Sequence, residues 1–478
     1  MRDGHFNAER GRMKMLKKNI VIFFNLFFIG IMIYALVVFM PQRGVDPQKI
    51  IQNSVLKGKT FDAKVEEIVS NKGIKALFLE ENSVPLVAID FCFEKAGYAF
   101  DRVHKKGLAH MAGEMLDYGA GAFDNRTYHD VLEENAIELS FSVSDDSFFG
   151  SMTTPRQNLD IALKVLKAVL SEPHIKPEYL EIVRAQQLEN IKMQSERPEK
   201  VLYRKFKDIF YGDHPLKYDA LGVAEDVAGI TEQNIKNFLR SHLTKDNLLV
   251  AVAGDISKED AADMLDVVFA DLKKSSDIKA LSETAPNYHF KEQNIDRQMP
   301  QVIATFVAPG VPRSADDFYA LYMANEAFGG SGLFARLNLI ARQKEGLTYG
   351  ADTYLNTNRY APRIEGSFST SAENYPQMRE IVLKEWQKMA DEGLSQEEFE
   401  LVKNDMLISF NLRFMSLSSI SKQLLYMQKE HLGLDFLQKR NEYVKNTTLA
   451  EVNAAAKKYF GVMPSVLTIG NNAQQGEK

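Results

Sequence analysis

Cysteine and tryptophan are nearly absent: Cys92 and Trp386 are the sole examples in 478 residues. A single thiol excludes any internal disulfide, so the fold must hold through packed cores. Cys92 sits in the apolar run Leu86 to Phe93, which reads as a buried strand, and there a thiol is a packing residue rather than a nucleophile. Charge of one sign is also scarce. Lys and Arg number 58 against 64 Asp and Glu, a formal net charge of −6, which argues against a nucleic-acid surface. The glycines Gly329, Gly330 and Gly332 are not followed by the Lys-Ser/Thr that a phosphate-binding loop requires.

What is present begins with a long uncharged segment. Ile20 to Met40 holds 21 residues rich in Ile, Phe, Leu and Val. As a helix it would span about 31 Å at ~1.5 Å per residue, enough to cross a bilayer. Arg10, Arg12, Lys14, Lys17 and Lys18 precede it, and only Arg43 and Lys49 follow closely. That bias puts the N-terminus in the cytoplasm and everything after Pro41 outside. The expectation is a cytoplasmic tail (1–18), a transmembrane signal anchor (19–41) and a tether (42–62). The body then lies in the periplasm or another extracytoplasmic space, held by a single pass in the inner membrane. Secretion after signal cleavage is the alternative, although no small-x-small cleavage pattern follows the run.

With 45% hydrophobic and 26% charged residues, the rest is globular and long enough for more than one domain. Strand-like runs at Val65–Val69, Lys75–Glu80 and Leu86–Phe93 precede a helix around His110–Leu116 and another over Asn125–Asn135. Leu139–Val143 and Phe148–Thr153 alternate like a hairpin. Long helices are predicted over Leu159–Leu170 and Glu178–Met193, before the apolar strand Leu248–Ala253. The second half repeats the plan: strands at Val302–Val307, Ile364–Ser371 and Val466–Ile469, and helices over Phe318–Ala327, Pro376–Glu392, Ser395–Phe410 and Thr448–Phe460. Thr231 to Gly254 and Thr448 to Gly470 share one order of Thr, amphipathic helix, turn, apolar strand and Gly. The reading is an α+β fold of two tandem homologous domains, 63–272 and 298–472, joined by a polar linker at 273–297.

The chemistry-bearing stretch is Gly107-Leu108-Ala109-His110-Met111-Ala112-Gly113-Glu114-Met115-Leu116. Family-like stretches follow it in order. They are Tyr211-Gly212-Asp213-His214-Pro215-Leu216, then Leu249-Val250-Ala251-Val252-Ala253-Gly254-Asp255, then Gly329 to Leu337, then Arg342-Gln343-Lys344-Glu345-Gly346-Leu347-Thr348-Tyr349. In order and spacing from about Val69 to Gly470 the chain resembles the insulinase/pitrilysin/mitochondrial-processing-peptidase family. The resemblance implies paired α+β domains around a peptide-holding chamber. It also implies an H-x-x-E-H motif whose two His and a distal Glu hold zinc while the motif Glu serves as base.

Mapped residue by residue, that chemistry is depleted. His110 keeps the first ligand position; Gly113 stands for the base and Glu114 for the second His; Asn190 stands for the distal Glu, and Val183 for a further Glu seven residues earlier. Glu189 is adjacent, but one helical residue turns a side chain by ~100°, away from the site. By contrast, Arg342 and Tyr349 keep the spacing of a pair that the resemblance implies binds substrate carbonyls. No catalytic residue and no zinc are expected on this chain. The implied role is a substrate-binding, non-catalytic subunit, with zinc on a homologous partner and peptides as substrates. Two alternatives stay open: an active peptidase rebuilt with zinc at His110 and Glu114, and a peptide-binding protein with no catalytic partner. His129 and Glu133 read as a solvated helix face, and His214 as a turn residue.

Overall fold

The protein is described by a computed structural model over residues 64–330, 332 and 334–471. The candidate anchor, its flanking tail and the tether lie outside the described residues. Within them no helix is long and apolar enough to cross a membrane.

Two mixed sheets organise the chain. The first uses β1 (Glu66–Val69), β2 (Lys75–Glu80), β3 (Leu86–Glu94), β4 (Glu138–Val143), β5 (Ser147–Pro155) and β6 (Leu248–Gly254), in the order β1-β2-β6-β3-β5-β4. The second uses β7 (Gln293–Asp296), β8 (Gln301–Pro309), β9 (Ala351–Asn356), β10 (Arg363–Ser371) and β11 (Ser465–Gly470), in the order β7-β11-β8-β10-β9. Each has one parallel pair, β2 with β6 and β7 with β11; every other pairing is antiparallel. Apart from β1, the second order repeats the first strand for strand.

The repeat extends to single residues. Phe91 on β3 faces Gly150 on β5, and Phe306 on β8 faces Gly366 on β10. A Cβ at Gly150 would lie 2.1 Å from the Phe91 ring, and one at Gly366 2.2 Å from the Phe306 ring. Each ring therefore lies flat over its glycine and fills the core. Gly254 and Gly470 close equivalent strands at φ 140° and 139°, a conformation L side chains rarely adopt. Gly150→Ala and Gly366→Ala should each cost about 3 kcal/mol of stability through overpacking. Urea unfolding of the two variants checks this, and a near-neutral result for one alone would break the equivalence.

Helices cover the sheets. In the first half they are α1 (Leu108–Met115), α2 (Asn125–Glu134), α3 (Leu159–Ser171), α4 (Pro177–Glu196), α5 (Pro198–Tyr211), α6 (Ala224–Ala228), α7 (Glu232–His242) and α8 (Lys258–Phe269). In the second they are α9 (Phe318–Gly329), α10 (Tyr375–Glu392), α11 (Gln396–Leu412), α12 (Leu417–Lys429), α13 (Phe436–Asn446) and α14 (Leu449–Phe460). One face of each sheet is packed by helices of its own half. Phe91, Phe93 and Phe148 meet Met115, Leu166 and Phe238 in the first; Phe306 and Phe368 meet Phe328, Trp386 and Phe460 in the second.

The opposite faces are covered by exchange. Leu417, Ile420 and Leu424 of α12 pack on Leu79, Ala88, Cys92 and Ala253 of the first sheet. Leu202, Phe206 and Phe210 of α5 pack on Val307, Leu467 and Ile469 of the second. Because β3 and β8 are buried on both sides, each half needs the other to finish its core. Polar contacts fix both docks. Lys429 Nζ lies 2.5 Å from Asp146 Oδ1, and Arg363 Nη1 donates to the Tyr211 hydroxyl at 3.2 Å. Ser421 of α12 also donates to the buried Asp90 of β3.

One expectation needs correction. The predicted linker 273–297 ends in structure, because Gln293–Asp296 is β7, hydrogen-bonded to β11.

Candidate functional site

The site is built where α1 meets α4. Gly107 precedes α1 at φ 96°, and a Cβ there would lie 2.5 Å from Leu221 O and 2.6 Å from Gln187 Nε2. The Asp101 carboxylate caps the helix, accepting from Gly107 N at 2.8 Å and Ala109 N at 2.9 Å. Burial pushes its pKa up to about 7, opposed by those same N–H groups and by Lys106. Gln187 on α4 donates to Gly107 O at 3.1 Å and Leu221 O at 2.8 Å, tying the two helices together.

These contacts set one face of α1 against α4 across an open cleft of ≈ 700 Å³, lined among others by His110, Glu114, Val183, Glu189 and Asn190. The residues mapped onto the zinc site are thus brought together. His110 Nε2 lies 4.0 Å from Glu114 Oε1. Burial holds the His110 pKa below its ordinary value, despite the nearby Glu114 and Asp219, so the imidazole is neutral at pH 7. Glu189 also lines the cleft, contrary to the expectation that it points elsewhere. The opening is wide enough to take in several neighbouring positions of α4.

The donor set does not fit zinc. Among the described residues no three His, Cys, Asp or Glu side chains lie close enough to hold a metal ion. Catalytic zinc needs three protein ligands. The chain offers one neutral imidazole, one carboxylate and an amide at Asn190. The base position carries no side chain: Gly113 is buried, and a Cβ there would face the Phe148 ring at 3.4 Å. Sequence reasoning missed Asp101 and Gln187. Gln187 stands among the buried positions Leu180 and Val183 of α4, a polar residue on an apolar helix stripe, which was the available signal.

Arg342 and Tyr349 lie on another element. Arg342 is on a π-helical turn, Asn338–Lys344, and Tyr349 on the loop before β9. Both are exposed, Tyr349 at 87%, and neither lines the His110 cleft. The backbone beneath them is pinned. Thr348 Oγ1 donates to Ser369 O at 2.8 Å, and Thr370 Oγ1 to Leu347 O at 2.6 Å. A rigid base with two protruding donors can dock a carbonyl-rich chain.

Of the preceding glycines, Gly329 and Gly330 serve packing, whereas a Cβ at Gly332 would meet nothing closer than 3.9 Å. A Cβ at Gly329 would lie 2.6 Å from Thr353 Oγ1, and one at Gly330 2.3 Å from Glu326 Oε2. His214 caps a turn, its Nδ1 accepting from Leu216 N at 3.3 Å. His129 and Glu133 are exposed on α2.

Comparison with known proteins gives the class. The family model "Insulinase (Peptidase family M16)" matches residues 79–223, and "Peptidase M16 inactive domain" matches residues 229–406. The chain belongs to this family of insulinase-like peptidases, as a mixed α+β protein with two such domains. It is similar to the "Non-peptidase homolog YmxG" of Helicobacter pylori, 21% identical and covering 88% of this chain and 97% of that protein. It is also similar to an "Uncharacterized zinc protease YmxG" of Bacillus subtilis, 23% identical over 83% of this chain and 96% of that one. In fold it matches the crystal structure of a peptidase M16 inactive domain from Pseudomonas fluorescens, with TM-score 0.80, 23% identity, 86% of this chain and 98% of that one.

Proposed function

We propose that this chain is the non-catalytic, substrate-binding subunit of a heteromeric peptidase that degrades or processes peptides. A homologous partner supplies the zinc and the complete motif. The observation that carries the reading is the His110 cleft. It keeps the position of a metal site, but a glycine stands for the base and an amide for the third ligand, while the segment carrying Arg342 and Tyr349 remains exposed and rigid. The H. pylori relative, described as a non-peptidase homologue, supports the same reading. Residues 20–40 anchor the chain in the inner membrane and place its body in the periplasm, and no nucleic acid is bound.

His110 and Glu114, 4.0 Å apart, are where the second reading, an active peptidase with a rebuilt zinc site, would place its metal, and that reading needs a third ligand the described residues do not group there. One experiment separates the two. Zinc content and peptidase activity are measured on the purified full chain, alone and mixed with a copurifying homologue that carries an intact motif. The subunit reading expects no zinc and no activity alone, activity in the mixture, and a loss of about tenfold or more on Arg342→Ala as a substrate hydrogen bond is removed. Stoichiometric zinc and activity in the chain alone, both lost on His110→Ala, would establish the second reading instead.

A further inference from the structure

The second half holds a pocket that none of the above uses. It lies among α9, α11, α12 and α13, has a volume of ≈ 150 Å³, and is lined by Arg313, Arg413, Arg440, Gln423, Tyr322 and Tyr426 together with aromatic and aliphatic walls. We propose that this pocket binds a small oxyanion group, a carboxylate or a phosphate, seated between the three guanidiniums and the Gln423 amide.

Every polar side chain of the lining can donate a hydrogen bond, and no Asp or Glu is part of it. Among the described residues none of the three arginines makes a salt bridge. Arg440 is 8% exposed, and its Nη1 donates only to neutral oxygens, Met406 O at 2.6 Å and Asn441 Oδ1 at 3.1 Å. Arg313 donates to the Tyr319 hydroxyl at 3.0 Å. Buried cations without a counter-charge are costly, and an entering anion removes that cost.

An independent observation points to the same ligand. Gln423 is 6% exposed, and its Nε2, a donor, has no hydrogen-bond partner. A buried donor left unsatisfied beside three arginines is what an oxyanion would complete. Burial and the neighbouring Arg413 and Arg313 push the Arg440 pKa down to about 10, the direction expected of a cation cluster that lacks an anion. The nearest acids do not supply one. Burial raises the pKa values of Glu326 and Asp405, Glu326 to about 7, with no arginine acting on either. Glu430 is also raised by burial, although Lys429 and Arg313 pull it down, and among the described residues it makes no salt bridge to Arg313.

The arginines are also preorganised by stacking. The Arg313 guanidinium lies 4.1 Å from the Phe318 ring centroid and that of Arg440 4.5 Å from Phe410, which leaves their edges for bidentate contact. At about 30 Å³ per water, the volume suits one carboxylate or phosphate group with its stem leaving by the mouth.

The test is isothermal titration of the full chain in neutral detergent with three probes: inorganic phosphate, N-acetyl-leucine and N-acetyl-leucine amide. Saturable one-to-one binding of phosphate, or of the acid but not the amide, is expected and tells the two anion sources apart. Arg413→Gln should weaken that binding about tenfold or more. Arg413 is exposed, so this variant keeps the fold, and Gln423→Leu serves as the second. No saturable binding of phosphate or the acid, or binding unchanged in both variants, overturns the proposal.

Discussion

Arg363→Met is expected to cost about 3–5 kcal/mol of unfolding free energy, because it leaves a buried carboxylate alone. Arg363 and Glu365 sit on β10 at 2% and 3% exposure, with Nε to Oε2 at 2.6 Å. Burial disfavours the Arg363 charge, yet Glu365, Tyr211 and Tyr203 together outweigh it and its pKa is raised. The guanidinium also reaches Tyr211 and lies 5.4 Å from the Phe210 ring, so it is the polar pin that docks α5 on the second sheet. Its loss should show twice: as a lowered urea midpoint at neutral pH, and as faster amide exchange along α5. Arg363→Met combined with Glu365→Leu should recover most of the loss, since an apolar pair of similar volume avoids both desolvation costs. A single variant within 1 kcal/mol of the parent, by about the sensitivity of such unfolding curves, would show that the exchanged helix does not depend on this pair.

The repeated halves were legible because they rest on local pattern. The runs at Lys75–Glu80 and Leu159–Leu170, and the Thr-capped helices that lead into β6 and β11, carry period and punctuation that survive without context. The exchange of α5 and α12 was not legible. Leu202, Phe206 and Phe210 recur every four residues and announce an apolar stripe, but a stripe does not say which sheet it covers. β7 and β9 were missed for the opposite reason. Gln293–Asp296 and Ala351–Asn356 are polar edge strands, with little hydrophobic alternation to read. In the site, His110, Glu114 and Asn190, mapped position by position, line one cleft. The Gln187 bridge depends on a contact 80 residues apart in sequence, which no local window contains, and the Asp101 cap lies 8 residues from Ala109, outside the N-cap spacing that marks a helix start. The arginine pocket is more dispersed still, since Arg313 and Arg440 become neighbours only once α9 and α13 pack.

Glu114→His together with Asn190→Glu should convert the His110 cleft into a zinc site, taking affinity from none detectable to micromolar or better, about 8 kcal/mol of binding free energy. Three ligands would then come from two helices already fixed against each other by the Gln187 bridge. The two α1 positions are four residues apart on one face, the spacing that lets two imidazoles share a metal. No proton would compete at the first of them, because burial already keeps His110 neutral. Glu114→His alone should fail, since it leaves only two ligands. Metal content after dialysis, and the visible spectrum of the cobalt form, read the result without reference to activity. An empty double variant would mean that α1 and α4 do not converge closely enough and that the cleft has lost its shape as well as its ligands. Adding Gly113→Glu supplies the missing base; its Cβ would meet Phe148 at 3.4 Å, an ordinary contact, so the expected cost of about 1–3 kcal/mol comes from burying a carboxyl group beside that ring. Recovering the base therefore means placing a carboxyl group against the aromatic residues Phe148 and Phe141, where its charge is disfavoured.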